Sequence, residues 1–277
     1  MKDSYTVFGA TGFIGQHLAA ALRSSGLPVW CPGRSELHSL AKKDLGHVFY
    51  SLGGDNWAED PFGAIDAHLT HLRRLLECCD FQSLMYISST RLYLGASGGR
   101  EDCPLILDYK DPGRFHNALK LAGETLCLAS ERPEVRIVRL SNVIGFAPRG
   151  ISLIPILIKD AILTGEMKLW TAPDSAKDYI AIEDVVDILP RISQSGQYRL
   201  YNVASGENIK TASIVARIED ITGARAKWYN GETVVFPAMS IDRIQKEFQF
   251  DPRSALDLLP AVCGKFKDAF SETTALT

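Results

Sequence analysis

Three glycines in seven residues, Gly9-Ala10-Thr11-Gly12-Phe13-Ile14-Gly15, constrain the fold of this chain more than any other feature. They stand between a strand-like Tyr5-Thr6-Val7-Phe8 and a helix-like stretch from Gly12 to Ser25, whose Ile14, Leu18, Ala19 and Leu22 share one face. Glycine is required where a chain turns sharply out of a strand, where backbone must approach a pyrophosphate, and where a helix packs closely on that strand. The freed N–H groups and the positive helix end then attract phosphate. The spacing G-x-x-G-x-x-G departs from the commoner G-x-G-x-x-G, and either is weak alone; the flanking strand and helix give it weight. Dinucleotide binding through Gly9, Thr11, Gly12, Phe13, Ile14 and Gly15 is therefore expected.

Strand-like and helix-like segments alternate along the chain, the pattern of a parallel sheet covered by helices. Further strands are expected at Pro28-Val29-Trp30, His47 to Tyr50, Ser83 to Ile87, Val135 to Leu140, Met167 to Trp170 and Arg199 to Val203. Helices are expected near Ser152 to Leu163, Asp184 to Ile192 and Thr211 to Ile221. In Pro61 to Cys79, the residues Phe62, Ile65, Leu69, Leu72, Leu75 and Leu76 recur at helical spacing and read as a core face. Only a dozen residues separate Arg34 from His47, whereas a helix-strand-helix excursion needs about thirty. The fold class is a Rossmann-like, doubly wound α/β sheet lacking one strand on its second-strand side.

A formal charge of −3 gives no basic footprint for a phosphate polymer, which excludes nucleic acid as the expected partner. No apolar run approaches the ~18–20 residues that span a bilayer, and no signal-peptide core precedes Tyr5, so a cytoplasmic protein without a membrane partner is expected. Cys31, Cys78, Cys79, Cys103, Cys127 and Cys263 form no C-x-x-C pair and read as free, buried thiols. His68 and His71 lie three apart on one helix, but no third ligand stands nearby, so no metal is expected. After the second strand the chain offers Arg34 and no acid before Glu36; an acid there would favour NAD, an arginine NADP. NADP is the expected cofactor, with NAD as the alternative and a solvated Arg34 as the plainer reading.

With these pieces in place, the chain resembles the extended short-chain dehydrogenase/reductases, especially the nucleotide-sugar epimerase and dehydratase group. Besides the glycine motif, the resemblance rests on Tyr86-Ile87-Ser88-Ser89-Thr90-Arg91-Leu92-Tyr93 and Lys120-Leu121-Ala122-Gly123-Glu124. It continues through Arg139 to Gly145, Asp178 to Val185 and Tyr201 to Gly206, in the family's order and over nearly the whole length. It implies that Ser89 hydrogen-bonds the reacting sugar oxygen, that Thr90 contacts substrate, and that Lys120 holds the nicotinamide ribose. It further implies that Asn142 and Lys177 hold the diphosphate of a nucleotide sugar, although lysine lacks the bidentate fork of the arginine often found at the second position.

The family's proton-shuttling tyrosine stands four residues before that lysine, and this position is His116. No tyrosine of the chain has a lysine four residues later. Tyrosine starts near pKa ~10 and is lowered by a cation, whereas histidine starts near ~6.5 and is pushed lower still by Lys120. A neutral imidazole is an adequate base and a poor acid at pH 7. Three outcomes stay open: an NAD(P)-dependent epimerase or keto-sugar reductase working through His116; a silent cofactor-binding protein; or an active enzyme whose tyrosine was replaced to trap a complex. The expected organisation is a cofactor-binding region over 1–147, continued by about 178–205, and a small C-terminal substrate lobe from 148–177 and 206–277. A homodimer through the helices Pro61 to Cys79 and Pro112 to Ser130 would resemble the family's.

Overall fold

The computed structural model describes residues 4–38, 40, 43–53, 57–148, 150 and 152–274, with the side chains of residues 34, 38 and 272–274 outside the description. In chain order it forms β1 (Tyr5–Phe8), α1 (Phe13–Ser24), β2 (Val29–Trp30), β3 (His47–Tyr50), α2 (Pro61–Ile65), α3 (His71–Cys78), β4 (Ser83–Ser89) and α4 (Phe115–Ala129). Next come β5 (Val135–Leu140), β6 (Asn142–Ile144), α5 (Leu153–Thr164), β7 (Glu166–Leu169), β8 (Ala176–Ala181), α6 (Ile182–Ser195) and β9 (Leu200–Val203). The chain closes with β10 (Asn208–Lys210), α7 (Thr211–Thr222), β11 (Arg225–Trp228), α8 (Asp242–Phe248) and α9 (Ala255–Thr274).

Six parallel strands form the main sheet in the order β2-β1-β3-β4-β5-β9. After β2 the chain crosses to the far side of β1, and no described residue extends the sheet beyond β2, as the short Arg34-to-His47 interval requires. This reversal opens a crevice at the carboxyl ends of β1 and β3, the place where such sheets take ligands. Strand alternation divides the core between two faces. Phe49, Met85 and Ile87 pack with Leu18 and Leu22 of α1 and Ile188 and Leu189 of α6. Val48, Tyr50, Leu84 and Tyr86 point the other way, toward Leu72 and Leu75 of α3 and Cys127 of α4.

A further apolar cluster joins α5, α7 and α9 around Leu157, Ile214 and Phe266. The Met167 segment belongs here, not to the main sheet: β7 pairs with β11 in a two-stranded sheet, while β10, β8 and β6 form a three-stranded one. Strand β8 serves both cores, with Tyr179 in this cluster and Ile180 in the first.

The expected core face of Pro61 to Cys79 is corrected at its start. Phe62 is 80% exposed and Ile65 is also exposed. A π-turn over Asp66–Thr70 joins α2 to α3 and adds a residue to one turn, rotating the inward face upstream of it onto Ala64. His68, within this turn, becomes fully buried (0% exposed). All six cysteines are free; Cys79, Cys127 and Cys263 are buried as expected, whereas Cys78 is exposed. Among the described residues no helix is long and apolar enough to cross a membrane, and no group of three or more His, Cys, Asp or Glu could hold a metal ion.

Candidate active site

The glycine turn lies between β1 and α1 with no room for side chains. Gly9 has φ +79°, and a Cβ on it would lie 2.6 Å from the Ser51 carbonyl oxygen. A Cβ on Gly15 would lie 2.3 Å from the Gly9 carbonyl oxygen, so α1 starts directly against the turn. A cavity of about 400 Å³ opens above, lined by Gly12, Phe13, Ile14 and Gly15 together with His116 and Lys120. Bare backbone at a helix N-terminus, facing a lysine across one cavity, fits a dinucleotide. Gly9 shapes the turn without lining the cavity, and Thr11 is exposed. The side chain of Arg34 lies outside the described residues.

His116 and Lys120 come from the first turns of α4. Asp111 accepts a hydrogen bond from the Gly113 N–H (2.8 Å) and Pro112 follows it, which starts a 3-10 turn leading straight into the helix. Gly123 lets α4 close on β4, since a Cβ there would meet the Tyr86 hydroxyl at 2.3 Å. The Lys120 Nζ is thereby buried, donating to the Ile87 carbonyl oxygen at 2.7 Å. Burial, the Lys120 ammonium and the Arg91 guanidinium hold His116 down to about 4. Its place at the positive end of α4 acts in the same sense. His116 is therefore neutral at pH 7, and its Nδ1 is buried without a hydrogen-bond partner.

Ser89 ends β4 in extended conformation, and its Oγ accepts from the Arg91 N–H at 3.1 Å, capping the turn that follows. Thr90 is buried, and neither residue lines the dinucleotide cavity. Asn142, Lys177 and Arg91 surround an adjoining cavity of about 280 Å³ that has no carboxylate on its walls among the described residues. Val143 and Ser152 line both cavities, which therefore adjoin. Asn142 donates to the Asp178 carbonyl oxygen at 2.9 Å. Burial, and next the charge of Arg91, lower the Lys177 ammonium. The Arg91 guanidinium is lowered by desolvation and by Arg114, although solvent still reaches its side chain. Sequence reasoning placed Lys177 and Asn142 here and overlooked Arg91, whose signal was an arginine two residues past Ser89.

Beneath the site, other motif residues form a buried polar network. Glu124 accepts from Ser88 Oγ (2.5 Å) and from Arg139 Nη2 (2.6 Å). Arg139 Nη1 donates to the Tyr93 hydroxyl (2.7 Å), which donates to Asn202 Oδ1 (2.8 Å). Asp178 is equally committed, accepting from the N–H groups of Ser205 (2.9 Å) and Gly206 (2.7 Å). These residues carry the resemblance as scaffold, without facing either cavity.

A family model, the NAD dependent epimerase/dehydratase family, matches residues 5–204. The chain belongs to this family. Epimerase/dehydratase relatives agree over most of their length. The GDP-6-deoxy-D-mannose reductase of Pseudomonas aeruginosa is 24% identical over 253 residues, covering 80% of this chain and 81% of that protein. The dTDP-4-dehydro-6-deoxy-D-allose reductase of Streptomyces bikiniensis is 24% identical over 298 residues, 89% and 91% of the two chains. Among solved structures, the NAD-dependent NDP-hexosamine 5,6-dehydratase TunA superimposes with a TM-score of 0.80 at 19% identity, covering 95% of this chain and 97% of that one. RMD from Pseudomonas aeruginosa, complexed with NADPH, gives 0.79 at 21% identity over 96% and 99%. The chain thus stands among the extended short-chain NAD(P)-dependent epimerases, dehydratases and reductases, and NAD(P) binding fits both the family and the cavity.

Proposed function

We propose that the protein is an NAD(P)-dependent enzyme of nucleotide-linked sugars, an epimerase or keto-sugar reductase, in which His116 takes the tyrosine's place. The observation that carries this reading is a pair of adjoining cavities, one lined by the glycine turn, Lys120 and a neutral His116 and the other by Asn142, Arg91 and Lys177. Residues 1–147 and about 178–205 hold the cofactor, with Arg34 favouring NADP; 148–177 and 206–277 form the substrate lobe. Lys177 and Arg91 bring two positive charges to the diphosphate. A homodimer belongs to the same reading, with Phe62 and Ile65 on one helix and Leu128 on α4 exposed for it.

When bound, the nicotinamide supplies reversible transfer of hydride to and from a sugar carbon. Ser89 holds the hydroxyl on that carbon, and Lys120 holds the cofactor's ribose. His116, neutral at pH 7, accepts the hydroxyl proton as the hydride leaves, and the resulting imidazolium, with a pKa of about 4, returns it readily. Oxidation followed by return of the hydride to the other face would be epimerisation, and reduction alone the keto-sugar reductase.

The second reading, cofactor binding without turnover, draws on the unpartnered Nδ1 of His116, since no direct hydrogen bond sets its ring. The deciding experiment incubates the protein with NADP or NAD, in both redox states, and a panel of nucleotide sugars and keto-sugars, with product analysis beside absorbance. Turnover abolished in His116→Ala establishes the enzyme. Cofactor binding with turnover appearing only in His116→Tyr establishes the silent protein.

A further inference from the structure

The backbone of Arg91 is held on both sides, and its guanidinium is not. The Arg91 N–H donates to Ser89 Oγ (3.1 Å), and its carbonyl oxygen accepts from Asn117 Nδ2 (3.3 Å). Asn117 follows His116 on α4, so these two bonds tie Arg91 to the reacting end of the site. Its side chain lines the outer cavity with Asn142 and Lys177. Among the described residues neither Arg91 nor Lys177 forms an ion pair, whereas the neighbouring Arg114 and Arg139 are matched by Asp111 and Glu124. Desolvation, and then the charge of Arg114, lower the Arg91 guanidinium. A charge partly withdrawn from water and left unpaired gains from an incoming anion.

Two effects locate that charge. After burial and Lys120, Arg91 is the next group to lower His116; after burial, it is the group that lowers Lys177. The guanidinium therefore stands between the proton acceptor and the cation assigned to the diphosphate, which is where the sugar lies in the functional reading. The diphosphate of a nucleotide sugar carries two negative charges. Lys177 offers one positive charge, and the N-terminus of α5 about half of another, since Ser152, Leu153 and Ile154 line the same cavity. That helix end has no side-chain cap and no acid in its first turn, so its N–H groups stay available. Arg91 takes the sum beyond two. Its planar fork has five N–H donors, and a phosphate occupies one edge of it. The edge left over faces a sugar that, if neutral, brings no countercharge; a carboxylate fits that edge in both geometry and sign.

We propose that Arg91 is a specificity-determining residue that binds a carboxylate carried by the sugar itself, so that the substrate is a nucleotide-linked uronic acid and not a neutral hexose. The inference deepens the functional reading and rests on the outer cavity taking the diphosphate.

The test is calorimetry on the full chain saturated with whichever of NAD and NADP it binds. Three matched pairs are titrated: UDP-glucuronic acid with UDP-glucose, GDP-mannuronic acid with GDP-mannose, and dTDP-glucuronic acid with dTDP-glucose. In the pair whose base the protein accepts, the uronic acid is expected to bind at least about tenfold tighter than the hexose. Arg91→Met is expected to weaken both members and to bring them within about twofold of each other, while Arg91→Lys keeps part of the difference. Lys177→Met is expected to weaken both members alike. Equal binding of the two members by the unmodified protein overturns the proposal without any variant and leaves the nucleotide-sugar reading standing. A preference that survives Arg91→Met at an unchanged thermal midpoint overturns it too, as does one abolished by Lys177→Met alone. Failure of all six ligands to bind would instead sink the nucleotide-sugar reading, and the proposal with it.

Discussion

Helix α4 presents two polar layers to the sheet, and they differ in whether the protein completes them. Around Glu124, every charged or hydroxyl group of the network finds a partner: Ser88, Arg139, Tyr93 and Asn202 are joined in one chain of bonds. Two turns earlier on the helix, His116 meets His68 with a bare nitrogen on each ring. A buried network that is fully satisfied holds one geometry; one that is incomplete holds its geometry only when something else enters. The first layer positions the strands and helix. The second borders the cavity and is left open by the protein itself.

Breaking the satisfied layer has the largest expected consequence. Glu124→Leu leaves the Arg139 charge buried and unpaired, an expected loss of about 3–5 kcal/mol that a denaturant titration at pH 7 would read. An unchanged midpoint would mean that the network is not the keystone of the α4–β5 contact.

Acid attacks the unsatisfied layer. Unfolded histidine titrates near 6.5, whereas His116 and His68 hold out to about 4 and about 3 when folded. Between these values only the unfolded chain takes up the protons, so stability is complete above pH 6.5 and declines as pH falls toward 4. A loss of roughly 5 kcal/mol by pH 4.5 is expected, about half as large in His68→Leu, from melts across that window.

The same contrast in charge governs the outer cavity, where Lys177 and Arg91 face each other without an acid on its walls. Lys177→Met is expected to weaken nucleotide-sugar binding about tenfold while leaving dinucleotide binding alone, as read by calorimetry with each ligand. Equal weakening of both ligands would remove Lys177 from the substrate site. The smallest effect tests what an unpartnered group is worth. His68→Leu is expected to change stability at pH 7 by less than about 1 kcal/mol, because the one hydrogen bond it removes, to the Tyr86 hydroxyl, is long at 3.5 Å. A large loss would show His68 to be a structural partner and not an open one.

Much of this was legible before the fold. The glycine turn and the missing strand follow from local patterns and from the length of the Arg34-to-His47 interval. Lys120 and His116 line one cavity and Asn142 and Lys177 the other because motif spacing survives folding. Phe62 and Ile65 were misplaced because helical periodicity assumes a uniform helix, and the π-turn at Asp66–Thr70 shifts the face by one residue. Arg91 carried no motif of its own, and its significance lies in facing Lys177 from another strand end.

Sequence alone determined most strands of the main sheet, its parallel character and the identity of the residue in the tyrosine's place, since these depend on neighbours along the chain. Tertiary structure decided which motif residues are scaffold and which are exposed to ligand, and it alone brought His68 against His116. The reason is physical: a hydrogen-bond partner, a desolvated nitrogen and a lowered pKa are properties of contacts between segments distant in sequence, and no local pattern encodes them.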